Sequence, residues 1–377
     1  MTISAIRLHA AEANVTVISN TPAVTDWSRR YVSPWWNAFA VPATSVCTGP
    51  LVIADVDPAQ YVDLAAAVNT RPHQEVTYAK ARTLVTPRDD HGVITAVCPG
   101  EGLAYRSEPT IGRLTIAGRE AVPVSLAAAR LAREMGRGQL LRNGWSLLHA
   151  SAAARHGRAV LTFGSKGTGK TTTALLLASR GWKLLANDRV FVRCQGNAVK
   201  VLPWPSAASI GLGLLDALGW FDTTRKRLQA GEHLHPTQDQ RVTGALLRDR
   251  RRPLWEKSGK RELKAQIFPD QFADWFGLTL ATSGQAGALL FPHIDPGTLP
   301  AVADGSRTLR EDDFLSRATE DRYPDIFGLA CGLDSGGTER SRTAVTNRLA
   351  HLPHHTIVLG HDTTAAADFL TKLTNTI

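Results

Sequence analysis

The chain has 377 residues, 43% hydrophobic and 20% charged, with a formal net charge of +9, which is ordinary for a soluble globular protein and long enough for two domains with cores of their own. The positive balance has no long Lys/Arg tract, since Asp249 interrupts the densest cluster of Arg248, Arg250, Arg251 and Arg252, so it reads as a field for an anionic substrate rather than a nucleic-acid arm. Cys47, Cys98, Cys194 and Cys331 are widely spaced without C-x-x-C, no signal-peptide pattern opens the chain, and no run of about 18 apolar residues occurs, so the reading is a cytoplasmic protein without a zinc site, disulfide framework or membrane span.

Residues 1–122 read as a strand-rich α+β region. The β-branched runs Val15 to Ile18, Leu51 to Val56 and Val93 to Val97 are bounded by turn residues such as Asn20, Pro58 and Gly100. Trp35, Trp36 and Phe39 are expected in its core. Pro123 to Asn143 predicts a helix, with Ser125 as its N-terminal cap and Gly144 as its stop; Leu126, Ala129, Leu131 and Met135 recur near helical spacing. Ser146 to Ala153 predicts one strand. A turn at His156 to Arg158 leads to a second strand, Ala159 to Phe163.

A helix is expected from Lys170 to Ser179, ended by Gly181, followed by a strand from Trp182 to Ala186 with Asn187 and Asp188 at its C-terminal end. Ligands of open α/β sheets gather at that edge. Val201 to Pro205 is a proline-broken segment. Residues 221–258 are polar and lack a clear period, so they read as a mobile insertion or a lid. Ala265 to Phe268, Ala288 to Phe291 and Thr356 to Leu359 predict short strands, and Asp362 caps a last helix, Thr363 to Leu373. The expected domains are an accessory or acceptor-presenting region, 1–122, and an α/β domain, 123–377.

The segment Gly164, Ser165, Lys166, Gly167, Thr168, Gly169, Lys170, Thr171 fits G-x-x-x-x-G-K-[ST] in full. Glycines let backbone N–H groups turn inward and approach phosphates without a Cβ clash. The helix that starts near Lys170 directs its positive end at the anion. Lys170 is expected on the β- and γ-phosphates, Thr172 with the loop in the nucleotide site, and Thr171 on Mg²⁺. The expected cofactors are ATP or GTP with Mg²⁺. The flanking strand and helix give the motif the context it requires.

The stretch Leu148-His149-Ala-Ser-Ala, Ala159 to Thr171, and Arg180-Gly181-Trp-Lys-Leu-Leu-Ala-Asn187-Asp188-Arg189-Val190 resembles the kinase core of HPr kinase/phosphorylase. The resemblance spans about 45 residues. It implies a P-loop kinase core with a mixed sheet, like the C-terminal domain of that family, and a homo-oligomer. In the family a histidine-bearing strand precedes the loop, and Asp-Asp-Arg-Val follows the helix and strand. Here the first Asp is Asn187. The downstream signature tied to HPr recognition is not evident and the N-terminal region does not match, so HPr is not the expected acceptor.

Asp188, next to the loop, is the leading catalytic or Mg²⁺-associated carboxylate, since transfer to a hydroxyl needs a proton acceptor and a cation held by few carboxylates; the bland alternative is a turn-capping Asp. His149 either meets the γ-phosphate or tunes Asp188, or is a core histidine. Arg189 either clamps phosphate or pairs with Asp188. Lys257, Lys260, Arg261 and Lys264 form a second basic patch, for an acidic acceptor or merely a solvated face. His233, His235, His351, His354 and His355 do not read as a metal site, since Pro353 breaks the helix that the last three would need. The expected function is an ATP-dependent kinase acting on a hydroxyl of a peptide or protein Ser/Thr, or of a small metabolite, in a specialised bacterial pathway. The competing readings are a nucleotide-gated binding module and a nucleic-acid-binding ATPase; the latter lacks aromatic-basic interleaving.

Overall fold

A computed structural model describes residues 3–42, 49–305, 307–315, 324–330, 333 and 336–375. Cys47 and Cys331 fall outside them; Cys98 and Cys194 are free thiols. The chain divides into two units, Met1–Trp145 with Leu315–Thr338, and Ser146–Phe314 with Glu339–Ile377.

The first unit is built on a nine-stranded sheet. Its strands are β1 (Ser4–Ala10), β2 (Ala13–Ser19), β3 (Asn37–Ala40), β4 (Leu51–Val56), β5 (Gln74–Tyr78), β6 (Ala81–Val85), β7 (Ile94–Cys98), β8 (Leu103–Glu108) and β9 (Arg113–Gly118), in the order β3-β1-β2-β4-β9-β8-β7-β6-β5. Only β2–β4 and β4–β9 are parallel. Helices α1 (Pro22–Val32), α2 (Pro58–Asn69) and α3 (Ala121–Arg142) cover it. Helix α3 lies against β2, β4 and β9 and against α1, so the boundary between units comes after this helix, at Trp145, and not at residue 122.

Two expectations change in this unit. Helix α3 starts two residues before Pro123 with Glu120 at its cap position, and Ser125 is buried inside the helix. Proline is tolerated there because its missing N–H would be among the unpartnered donors of a first turn. Trp35 and Trp36 are buried, but Phe39 is 48% exposed on the edge strand β3.

In the second unit the strands are β10 (Ser146–Leu148), β11 (Ser151–Arg155), β12 (Arg158–Thr162), β13 (Lys183–Ala186), β14 (Val190–Gln195), β15 (Ala198–Pro203), β16 (Ala208–Ile210), β17 (Leu254–Trp255), β18 (Glu262–Leu263), β19 (Ala265–Ile267), β20 (Gly284–Ile294), β21 (Ala301–Val302) and β22 (His354–Leu359). The main sheet runs β10-β14-β15-β20-β12-β11-β13, with β22 on the later residues of β20 and β21 on β22. The pairs β12–β20 and β20–β22 are parallel and the rest antiparallel, so the sheet is mixed. The helices are α4 (Lys170–Ser179), α5 (Leu212–Ala217), α6 (Phe221–Gln229), α7 (Gln240–Leu247), α8 (Pro269–Phe276), Glu339–Leu349 and Thr363–Leu373.

Period-two alternation sorts the side chains of this sheet into two layers. Ala153, Val160 and Leu290 face Leu176 and Leu177 of α4 and Leu370 of the last helix. Ala152, Leu161, Leu289 and Phe291 face the other way, with Phe163, Phe314, Val345 and Leu349. Asp362 caps the last helix as expected, accepting from the N–H groups of Thr364 and Ala365. Residues 221–258, expected as a mobile insertion or lid without a clear period, contain α6, α7 and β17; their polar faces hide the short apolar periods of Phe221 and of Val242, Ala245 and Leu246, which are buried.

The topology places two short connections together. Strand β10 lies at one end of the order and β11 near the other, yet only His149 and Ala150 separate them; likewise only Asn187, Asp188 and Arg189 join β13 to β14. Their three and four peptide steps span at most about 11 and 14 Å. The sheet therefore curls until its two edges come close, and both connections bridge the gap. This is why the predicted strand Ser146 to Ala153 is two strands, broken at His149.

Candidate functional site

The loop after β12 turns through three glycines at positive φ. Gly164, Gly167 and Gly169 have φ values of +145°, +89° and +106°. A Cβ on Gly164 would collide with the Thr168 hydroxyl, and one on Gly169 would sit 2.7 Å from Ile294 Cδ1. Only glycine accepts both the conformation and the approach.

The loop is tied at both ends. The Phe163 N–H donates to the Leu290 carbonyl at 2.9 Å. Thr168 Oγ1 donates to the Ser165 carbonyl at 2.9 Å. Lys170 is buried, and its Nζ donates to the carbonyls of Gly164 at 2.6 Å and Ser165 at 3.1 Å, so the ammonium lies under the arch of the loop. Gly169 caps α4 without a side chain, and the first N–H groups of that helix face the loop with the positive end of its dipole. Ser165, Lys166 and Gly167 form the exposed crest, and Thr171 and Thr172 are half-buried beneath it.

The two bridging connections meet this helix end. Thr171 Oγ1 donates to the Asn187 carbonyl at 3.1 Å. His149 Nε2 lies 3.1 Å from Asp188 Oδ1. An ionised carboxylate only accepts, so the shared proton belongs to Nε2. Arg189 Nε is 3.3 Å from the other carboxylate oxygen. Burial by itself would push the Asp188 carboxyl up; the His149 hydrogen bond and the charges of Arg189, His149 and Lys170 together outweigh it and hold the group well below the usual carboxylate range. Of the two outcomes weighed for Arg189, the structure has the pair with Asp188; its guanidinium also lies 5.7 Å over the Trp204 ring.

Asn187 is buried, and its Oδ1 accepts from Ser206 Oγ at 3.3 Å. The His149 N–H donates to the Asp313 carbonyl at 2.7 Å. The Asp313 carboxylate is buried and accepts from Arg307 Nη2 at 2.8 Å and from the Arg310 N–H at 2.8 Å. Ser206, Arg307 and Asp313 carry no local motif and were not singled out from sequence. Their only signal is spatial: the first follows the proline-broken end of β15, and the others precede Phe314, which bridges to Leu148.

The other sequence candidates are engaged elsewhere. Arg251 binds Asp216, Asp222 and Asp249. Arg261 pairs with Glu256, and Lys264 lies 3.6 Å from Glu262. Lys257 and Lys260 are exposed in the β17–β18 turn. His235 Nδ1 is bonded to Thr237 Oγ1 and His354 Nδ1 to the Leu352 carbonyl. Among the described residues no cluster of three or more His, Cys, Asp or Glu is arranged to hold a metal ion, and no helix is long and apolar enough to cross a membrane.

No protein-family model and no curated protein matches the chain. Among solved structures it is similar to the HPr(Ser) kinase/phosphatase of Coxiella burnetii, at 14% identity and a TM-score of 0.21, over 40% of this chain and 60% of that one. The matched part thus spans about three fifths of that enzyme's length.

Proposed function

We propose that the protein is an ATP-dependent phosphotransferase that moves a γ-phosphoryl group to a hydroxyl acceptor. The observation that carries this reading is the meeting of the Gly164–Thr171 loop, with Lys170 beneath it, and the His149–Asp188 pair at one helix end. Phosphoryl transfer asks a protein mainly for positioning and for opposite charge around the transferred group. The loop N–H groups, the α4 N-terminus and Lys170 offer those donors. Lys170 would exchange the two loop carbonyls for phosphate oxygens.

The donor set suits Mg²⁺, a hard cation that takes oxygen ligands: the Thr171 hydroxyl and the Asp188 carboxylate would hold it, and it would neutralise phosphate charge. Asp188 stays ionised far into acid, so it is a weak proton acceptor and a strong electrostatic partner. We therefore assign Asp188 to the cation and to the orientation of His149. In a loose transition state the acceptor hydroxyl loses its proton late, so a weak base suffices. The acceptor would be a peptide or protein Ser/Thr or a small metabolite.

Asn187 favours a second reading, a nucleotide-gated binding module with little transfer. It stands where a second carboxylate would be, and its amide is taken up by Ser206. The experiment is to offer γ-labelled ATP and Mg²⁺ to an extract of the source cells with wild type or Asp188→Asn protein. Label on an acceptor only with the wild type supports the kinase. Slow phosphate release, equal in both proteins and without labelled acceptor, supports the binding module.

A further inference from the structure

Beside the site, the hydrogen bonding of Arg307 is incomplete among the described residues. Its Nη2 is bound to Asp313 at 2.8 Å, while its Nη1 is buried and has no hydrogen-bond partner among the described residues. Its Cζ lies 4.6 Å from the centre of the Phe291 ring. That ring is 5.8 Å from the ring of Phe163, the residue immediately before Gly164. On its other side Arg307 holds Asp313, whose carbonyl fixes the backbone of His149. The guanidinium is thus braced between the base of the loop and the support of the His149–Asp188 pair, and its side chain is 23% exposed, open to solvent on one side.

A buried guanidinium N–H without an acceptor is costly, and an anionic oxygen is the partner that relieves it best. The Phe291 face favours the cation but leaves the N–H fork unspent. A planar fork can hold one carboxylate and offer its second nitrogen to another oxygen, which a lysine ammonium does with less direction.

We propose that Arg307 is a ligand of the terminal phosphate of the bound nucleoside triphosphate, so that the site distinguishes triphosphate from diphosphate through this side chain. The proposal rests on the nucleotide reading given under Proposed function. Asp313 acts as a positioning residue: it aims Arg307 by its carboxylate and His149 by its carbonyl, and so couples recognition of the terminal phosphate to the carboxylate at the cation. No bond is made or broken by Arg307. It supplies positive charge on the oxygens that gain negative charge during transfer.

The test measures binding of ADP and of AMP-PNP, each with Mg²⁺, by calorimetry to the full chain as wild type, Arg307→Met, Arg307→Gln and Lys170→Ala. The expected result is that both Arg307 variants bind ADP within about twofold of wild type and lose at least fivefold for AMP-PNP, whereas Lys170→Ala weakens both nucleotides. The Gln variant keeps a donor for Asp313, so it remains informative if the Met variant folds poorly. A wild-type ratio of the two affinities in the folded population of either variant overturns the assignment, and a lowered melting temperature alongside that ratio marks Arg307 as a structural tie only. Wild-type protein that binds neither nucleotide overturns the nucleotide reading, and the assignment with it.

Discussion

Gly169→Ala tests whether the loop geometry follows from backbone sterics. At φ +106° an L-residue lies outside the favoured left-handed region, which costs about 1–3 kcal/mol. The new Cβ would sit 2.7 Å from Ile294 Cδ1 and 3.1 Å from Cγ1. Carbon atoms prefer about 3.5–4.0 Å, so the methyl end of Ile294 must move. Ile294 is only half-buried, which keeps that part of the cost near the low end of overpacking, about 1 kcal/mol. The sum is about 2–4 kcal/mol of lost stability, read as a shift in the urea midpoint at unchanged slope. A double-mutant cycle with Ile294→Ala separates the two parts: the coupling should be about 1 kcal/mol, leaving the backbone cost in place. A loss below about 1 kcal/mol for Gly169→Ala, or its complete rescue by Ile294→Ala, refutes the account of a strained turn.

Lys170→Ala should weaken nucleotide binding or turnover at least tenfold by calorimetry or label transfer, because the cation beneath the loop is gone; full activity would sink the assignment. Asp188→Asn should abolish transfer while ATP binding persists in the folded protein, and should lower the melting temperature at neutral pH because the charge held by His149 and Arg189 is gone; transfer retained at the wild-type rate would sink the assignment. The carboxyl of Asp188 is held below its unfolded value, so its contribution to stability is complete above about pH 5 and is lost as pH falls through about 4 toward the lower folded value. Unfolding free energies of wild type and Asp188→Asn, compared along that acid range, should therefore converge, and a constant difference refutes the depressed ionisation. In the first unit, Phe327→Ala should cost about 3–5 kcal/mol in chemical unfolding, since the ring is buried with its centre 5.3 Å from that of Tyr78 and 4.9 Å from that of Tyr105.

The Gly164–Thr171 loop was readable because its chemistry is local: strand, glycines, lysine and helix occupy one stretch of about 20 residues. The strand Lys183–Ala186 and the cap at Asp362 were readable for the same reason. The break at His149 was hidden because Leu147 and Leu148 before it and Ala150, Ala152 and Ala153 after it read as one short buried run, and nothing in that pattern marks where a curled sheet changes partners. Ser125 failed as a cap because the tolerance of a first turn for proline let the helix start earlier. Phe39 failed as core because an edge strand turns that side chain to solvent.

By itself the sequence determined the strand, glycine-rich loop and helix around Gly164 to Thr171, the alternation that sorts side chains to either face of the main sheet, and the set of titratable groups near the loop, all of them consequences of neighbours along the chain. Only the tertiary structure decided that Asp188 meets His149 from 39 residues away, that Asn187 is engaged by Ser206, and that Arg307 and Asp313 stand behind the pair. Those contacts depend on the edges of the sheet closing on each other. That closure is set by the summed pairing and twist of seven strands, which no local window of residues encodes.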